Sequence, residues 1–326
     1  MSARHKNRFE QELFDFAQES DERKRGVDEL FAMVGDYAKG RRFMQLLERV
    51  SHFSDYSPYN ALLIVLQRPQ ARYVFTPKRW LELHRTVRRD ARPIVVLRPF
   101  SPVMYLFDEA DTRVAPGQTD RFPYVENAAP VLYADPEGAV PPELLRKLLF
   151  NLPYWGIAHG VLQSGPSATG QIAPADSSDP DLPIALKGFD DLFWRPVYVL
   201  RTRRDVSATD MFAAVVQELA HLFCRHLRGA YEKGWEQSRN LSPDVEAFEA
   251  LVTTWLVSRR RRVASPSYAA LADWFAEHSE TPDFSFDTVI DAVTEIERLL
   301  GDCAVQDGYL YRHSPAFVEK IRRLRG

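Results

Sequence analysis

The stretch with the most chemistry in it is Val215-Val216-Gln217-Glu218-Leu219-Ala220-His221-Leu222-Phe223-Cys224-Arg225-His226. On a helix, side chains four apart lie about 40° from one another, so Gln217 and His221 share a face and Glu218 stands beside them. With imidazoles at both positions, such a face holds zinc while the adjacent glutamate activates a bound water. Here the first position carries a neutral, weakly basic amide oxygen instead. The helix then supplies one strong ligand, His221, one weak one, Gln217, and a base, Glu218. His226 lies about 140° further around a continuing helix and falls outside the set. A third ligand in such sites often comes from a following helix, where Glu246 and Glu249 stand three apart. Cys224 could also reach a metal, although a small buried apolar role is the commoner one. A Q-E-x-x-H string also arises by chance on amphipathic helices, and a surface pair of glutamates is usually only solvated.

A second concentration of chemistry lies between residues 65 and 98. Nine basic residues, Arg68, Arg72, Lys78, Arg79, Arg85, Arg88, Arg89, Arg92 and Arg98, stand there against two acidic ones, Glu82 and Asp90. Phosphates attract such a surplus through counterion release, and Tyr56, Tyr59, Tyr73, Phe75 and Trp80 offer rings that could stack on unpaired bases. The plainer alternative puts Trp80 and most of these rings in a core, with several arginines facing water or a protein partner.

These groups need elements to position them. Residues 7–66 read as helices, with Phe9, Leu13 and Phe14, then Leu30, Phe31 and Val34, then Phe43, Leu46, Leu47 and Val50 at helical spacing, and Ser57-Pro58 opening a last segment. Around Trp80 the pattern predicts a short helix, and Pro93–Leu97 and Val103–Phe107 read as two strands that pair across Pro99–Pro102. A Pro-, Gly- and Asp-rich tract from Glu109 to Pro142 reads as a boundary. Beyond it the pattern predicts a helix over 143–160, turns over 164–193, a strand over Arg195–Leu200, and a helix from Ser207 to about Leu227. Further helices follow at 243–261, 266–278, 285–300 and 315–325. Arg259–Arg262 suits a solvated helix terminus, and the paired carboxylates of Asp176–Asp181 suit an exposed loop.

At 326 residues with a formal charge of −3, the chain suits two domains, and it is not basic throughout as a protein coated for nucleic acid would be. Two cysteines, Cys224 and Cys303, are too few for a disulfide framework, so a reducing cytosol is the default. Apolar runs such as Ala61–Leu66 fall far short of the roughly 20 residues that cross a bilayer, and the charged N-terminus has no signal core. Neither export nor membrane insertion is expected.

Gln217–Leu227, followed by Leu241-Ser242, Phe248-Glu249-Ala250 and Trp255-Leu256-Val257, resembles the metallopeptidase domain of the ImmA/IrrE-type zincins. The resemblance implies His221 as second zinc ligand, Glu249 as third and Glu218 as general base, with Gln217 where the family carries its first histidine. The segment Phe53–Leu63, with Gln67-Arg68-Pro69, Trp80 and Val87-Arg88-Arg89 leading into Pro93–Leu97, resembles the ArdC-like single-stranded DNA-binding domain of antirestriction proteins. Where those relatives often carry turn glycines, this chain has Asp90 and Ala91.

The expectation is therefore an α+β protein: an ArdC-like α+β domain over 1–112, a linker over 113–142, and over 143–326 a mostly helical zincin-like domain with a small sheet. The first domain would bind single-stranded DNA through Arg68, Arg72, Lys78, Arg79, Trp80, Arg85, Arg88, Arg89 and Tyr59. The second would hold zinc if its site is intact, and otherwise no cofactor. An active enzyme would cleave a protein, a repressor or defence component, whose chain pairs along Val197–Leu200. The alternative is a pseudoenzyme acting through DNA or a protein partner. Mobile-element antirestriction, phage defence or stress regulation in the cytoplasm would be the setting.

Overall fold

A computed structural model of the chain describes residues 41–98, 101–122, 136, 138–162, 169–179, 182–183, 193–227, 238–301 and 315–325. The helices expected from Phe9 to Val34, and Cys303, lie outside the described residues. The chain divides into two compact units, Met1–Tyr133 and Ala134–Gly326. It is α+β throughout, with small sheets in both units and helices dominating the second. No helix among the described residues is long and apolar enough to cross a membrane.

The first unit contains α1 (Arg41–His52), α2 (Pro58–Gln67), β1 (Val74–Phe75), α3 (Pro77–Glu82), β2 (Arg85–Val87), β3 (Ile94–Arg98), β4 (Ser101–Asp108) and β5 (Thr112–Val114). Ser57 opens α2 as expected: its hydroxyl accepts from Asn60 N, and Pro58, which has no N–H to lose, takes the first turn. β4 lies between β1 and β3, antiparallel to both, with Ile94 opposite Leu106 and Val95 opposite Tyr105. Phe43, Leu46, Leu47 and Val50 of α1 and Ala61–Leu66 of α2 are buried, as are Ile94, Val96 and Leu106 of the sheet. The unit runs past residue 112. β5 pairs with β2, and the Phe122 ring lies 4.9 Å from that of Tyr73 and 5.3 Å from that of Trp80. Between β5 and Phe122 the chain turns at Pro116-Gly117, with Gly117 left-handed at φ +74°.

The outer edge of β3 is closed by a helix. Gln67 Nε2 donates to Val95 O at 2.7 Å and Gln67 Oε1 accepts from Val95 N at 2.9 Å. Asn60 does the same at Leu97, at 2.9 and 3.0 Å. Two carboxamides seven residues apart, two turns of α2, thus satisfy alternate residues of a strand and take the place of a neighbouring strand. The double substitution Asn60→Ala/Gln67→Ala leaves four backbone groups without these partners. We expect a loss of about 1–3 kcal/mol in denaturant unfolding and concentration-dependent association in light scattering. An unchanged midpoint with no association would show that this edge needs no cover.

The second unit contains α4 (Pro142–Asn151), β6 (Ile157–Val161), β7 (Gly170–Pro174), β8 (Leu182–Pro183), β9 (Phe193–Trp194), β10 (Tyr198–Thr202), α5 (Ala208–Phe223), α6 (Pro243–Arg260), α7 (Ser267–Glu277), α8 (Phe286–Leu299) and α9 (Pro315–Arg325). α4 ends well before Gly160. A 3-10 turn over Leu152–Trp155 and a left-handed Gly156, φ +76°, redirect the chain into β6. β10 is the middle strand, parallel to β6 and antiparallel to β7. β7 falls in the tract read as turns, because Gly-Gln-Ile-Ala-Pro is too short and too weakly alternating to read as a strand. Arg259 and Arg260 are not a solvated cap. Both are buried: Arg260 meets Glu297 at 2.9 and 3.0 Å, and the Arg259 guanidinium lies 5.3 Å from the Trp255 ring centroid.

Candidate functional site

α5 starts where Ser207 accepts from Asp210 N at 3.1 Å, and it buries Phe212–Val216, Leu219, Ala220 and Leu222. Gln217 is exposed and Glu218 half-buried. Ile172 N on β7 donates to Glu218 Oε2 at 2.8 Å, and a Cβ at Gly170 would come within 3.1 Å of Glu218 Cγ. The strand backbone therefore lies directly against this side chain. Burial raises the Glu218 carboxyl above its ordinary pKa, and the Ile172 hydrogen bond opposes that shift.

α5 stops at Phe223, four residues before the expected end. Arg225 takes a left-handed conformation, φ +62°, with Arg225 N donating to Leu222 O at 3.0 Å and His226 N to His221 O at 2.9 Å. This is a Schellman ending with arginine where glycine is usual, so nothing in the sequence marks it. The chain doubles back, and the helical-wheel argument that set His226 aside fails because the helix has already ended. His221 Nδ1 and His226 Nδ1 are 2.9 Å apart, and His226 Nε2 is 2.9 Å from Glu249 Oε2. Burial, with His226 adding, pushes the His221 pKa down to about 4. With His226 Nε2–H donating to the carboxylate, its Nδ1 accepts from His221 Nδ1–H, leaving a lone pair on His221 Nε2.

Glu249, on α6, is fully buried and receives four hydrogen bonds. Arg239 Nη1 (2.6 Å) and His226 Nε2 reach Oε2; Arg239 Nη2 (3.0 Å) and Ser285 N (2.9 Å) reach Oε1. Burial works to raise its pKa, but the hydrogen bonds from His226 and Arg239 outweigh it and hold the carboxyl below its ordinary value. Arg239 N donates in turn to Arg225 O at 2.8 Å, which ties it to the Schellman turn. Cys224 has no exposure, its Sγ is 3.8 Å from Thr253 Oγ1, and burial pushes its thiol pKa up to about 12.

A zinc ion held by Gln217, His221 and Glu249 does not fit this arrangement. The amide faces solvent, His226 stands between His221 and Glu249, and the four acceptor positions of the carboxylate are taken. Sequence reasoning missed Arg239, which lies in a polar stretch with no periodicity, and read Ser285 only as a helix start; both meet Glu249 only through the fold. Val197–Leu200 cannot take a substrate strand either, because β10 already has a neighbour on each side.

In the first unit, Trp80 is fully buried and its indole N–H donates to Phe107 O at 2.9 Å, so it cannot stack on a base. Arg85 is buried, 2.6 Å from Asp120. Arg68 meets Asp111 at 3.2 Å, Arg79 meets Glu82 at 2.8 Å, and exposed Arg88 donates to Ala110 O at 2.6 Å. Tyr59 is half-buried. Arg72, Lys78, Arg89, Arg92 and Arg98 are exposed, and among the described residues no ion pair reaches them.

No protein-family model matches the chain, and no curated protein does. Among solved structures, the chain is similar to the Mn(II)-bound crystal structure of the antirestriction ArdC protein from the R388 plasmid. The identity is 14% and the TM-score 0.33, over 80% of this chain and 97% of that one. The metal-free structure of the same protein gives 13% and 0.32, over 78% and 86%.

Proposed function

We propose that this protein binds single-stranded DNA through its first unit, and that its second unit keeps the frame of a metallopeptidase without the metal chemistry. The observation that carries the second half is the saturation of Glu249 by Arg239, His226 and Ser285 N. A guanidinium supplies the positive charge that a metal would otherwise bring to the carboxylate. The second unit then serves as a scaffold or recognition module, for a repressor or a defence component. The cytoplasm, in antirestriction, phage defence or stress regulation, is the setting this reading assigns.

Support for the DNA half comes from the exposed cations that remain after Arg68, Arg79 and Arg85 are discounted as internally paired. The test is fluorescence anisotropy with labelled single-stranded DNA over a salt series. Arg72→Ala/Lys78→Ala/Arg89→Ala should weaken binding and reduce the log–log salt slope by about 2, at roughly 0.7 per lost phosphate contact. An unchanged slope sinks the DNA half. For the second half, elemental analysis of purified wild-type protein should find no stoichiometric metal. Bound metal together with proteolysis abolished by Glu218→Gln would instead establish the peptidase reading.

A further inference from the structure

Glu249 belongs to a second set of neighbours, in which the proposed function leaves Cys224 idle. Cys224, His226 and Glu249 are all buried and each offers a ligand atom, these atoms lying within 4.8 Å of one another. Cys224 and His226 come from the turn that ends α5, and Glu249 comes from α6, against which α5 packs. Thiolate, imidazole and carboxylate together form a donor set suited to zinc and to its spectroscopic substitute cobalt. The Arg239 guanidinium, paired with the carboxylate, opposes a cation there, and its side chain keeps 18% exposure and hence a way out to solvent, while Arg225 adds a second positive charge near Cys224.

We propose that Cys224, His226 and Glu249 form a latent divalent-cation site of the zinc type, plugged by Arg239, with guanidinium and metal ion as alternative counter-ions of Glu249. This set is distinct from Gln217, His221 and Glu249. Loading it displaces Arg239 alone, whereas the other set would also require His226 to move from between two of its ligands.

The protons balance without a further reagent. Cys224 loses its thiol proton to solvent as the sulfur–metal bond forms. His226 gives up its Nε2 proton and gains one at Nδ1, while His221 moves its own from Nδ1 to Nε2, so the imidazole pair keeps two protons. His226 Nδ1–H then donates to His221 Nδ1, the outer hydrogen bond that orients a ligating imidazole. One proton is released per ion. Carboxylate with guanidinium and carboxylate with thiolate and a divalent ion both sum to zero, so the buried charge stays balanced.

The experiment is Co(II) titration of full-length protein, followed by absorption and proton release. Arg239→Met should bind one Co(II) with a thiolate-to-cobalt charge-transfer band. Its affinity should exceed that of wild type by roughly 100-fold or more, the scale expected when a buried, unpaired carboxylate regains a counter-ion. Adding Cys224→Ser should abolish the band. If Arg239→Met does not accumulate, Arg239→Lys, which keeps the charge but not the paired donors, decides by the same band and the same control. No band in the variant that folds, or one that survives Cys224→Ser, overturns the proposal. The proposed function fails separately: stoichiometric metal in wild type would sink that reading, whereas an Arg239 variant that takes up no cobalt would sink only this one.

Discussion

Glu249→Ala should destabilise the second unit by roughly 3–5 kcal/mol in protein stripped of metal, read as a lower midpoint in chemical denaturation. The size follows from what the carboxylate does. It is fully buried and accepts from a guanidinium fork, an imidazole and a backbone N–H, so removing it strands Arg239 as an uncompensated charge and leaves Ser285 N without its acceptor. A residue that served only as a metal ligand would behave differently, because its loss would remove metal affinity while the metal-free fold stayed as stable as before. The pH dependence gives a second reading. The native pKa of Glu249 is depressed, so its contribution is fully present above the unfolded value, about 4.3, and is lost as pH falls through the native value. Glu249→Gln should therefore be less stable than wild type at neutral pH, and the gap should close as acid protonates the wild-type carboxylate. A gap constant from pH 7 to pH 3 would contradict this assignment.

Arg85→Ala should cost the first unit a comparable amount, about 3–5 kcal/mol, while leaving the salt dependence of DNA binding at the wild-type slope. The Arg85 side chain is 6% exposed, donates to Thr112 Oγ1 at 2.8 Å, and lies 2.6 Å from Asp120 and 3.6 Å from Glu109. Its guanidinium also sits 5.9 Å from the Trp80 ring centroid and 5.8 Å from that of Phe122, so it packs against the aromatic cluster while it neutralises the two carboxylates. A phosphate cannot reach a cation held this way. Denaturation and anisotropy on one variant separate the roles: a stable variant with a shallower salt slope would return Arg85 to the DNA surface.

The basic stretch shows how composition misleads about function. Nine cations against two acids within residues 65–98 suggested a charged face, but the acids that pair with Arg68 and Arg85 lie outside the window, at Asp111, Glu109 and Asp120. Counting along the chain misses partners that only folding brings close. Trp80 follows the same logic. A tryptophan among arginines looks like a stacking platform, yet the burial of a large apolar ring dominates, and a carbonyl on β4 satisfies its N–H.

The sequence by itself determined the elements whose causes are local. Ser57, Ser207, Ser242 and Ser285 each accept from a backbone N–H at a helix start, and the helices read over 243–261, 266–278 and 285–300 lie within a residue or two of α6, α7 and α8. The β3–β4 pairing was legible in two apolar runs separated by prolines. The tertiary structure alone decided what the site is made of. His226 enters because Arg225 adopts a left-handed conformation that its side chain does not advertise, and such a residue costs roughly 1–2 kcal/mol that contacts beyond the turn must offset. Arg239 and Ser285 reach Glu249 from 10 and 36 residues away, and no spacing rule links residues on different elements. Capping and periodicity act over one turn of chain. A buried carboxylate instead acquires whichever donors the packed helices bring within about 3 Å, and that depends on the whole fold.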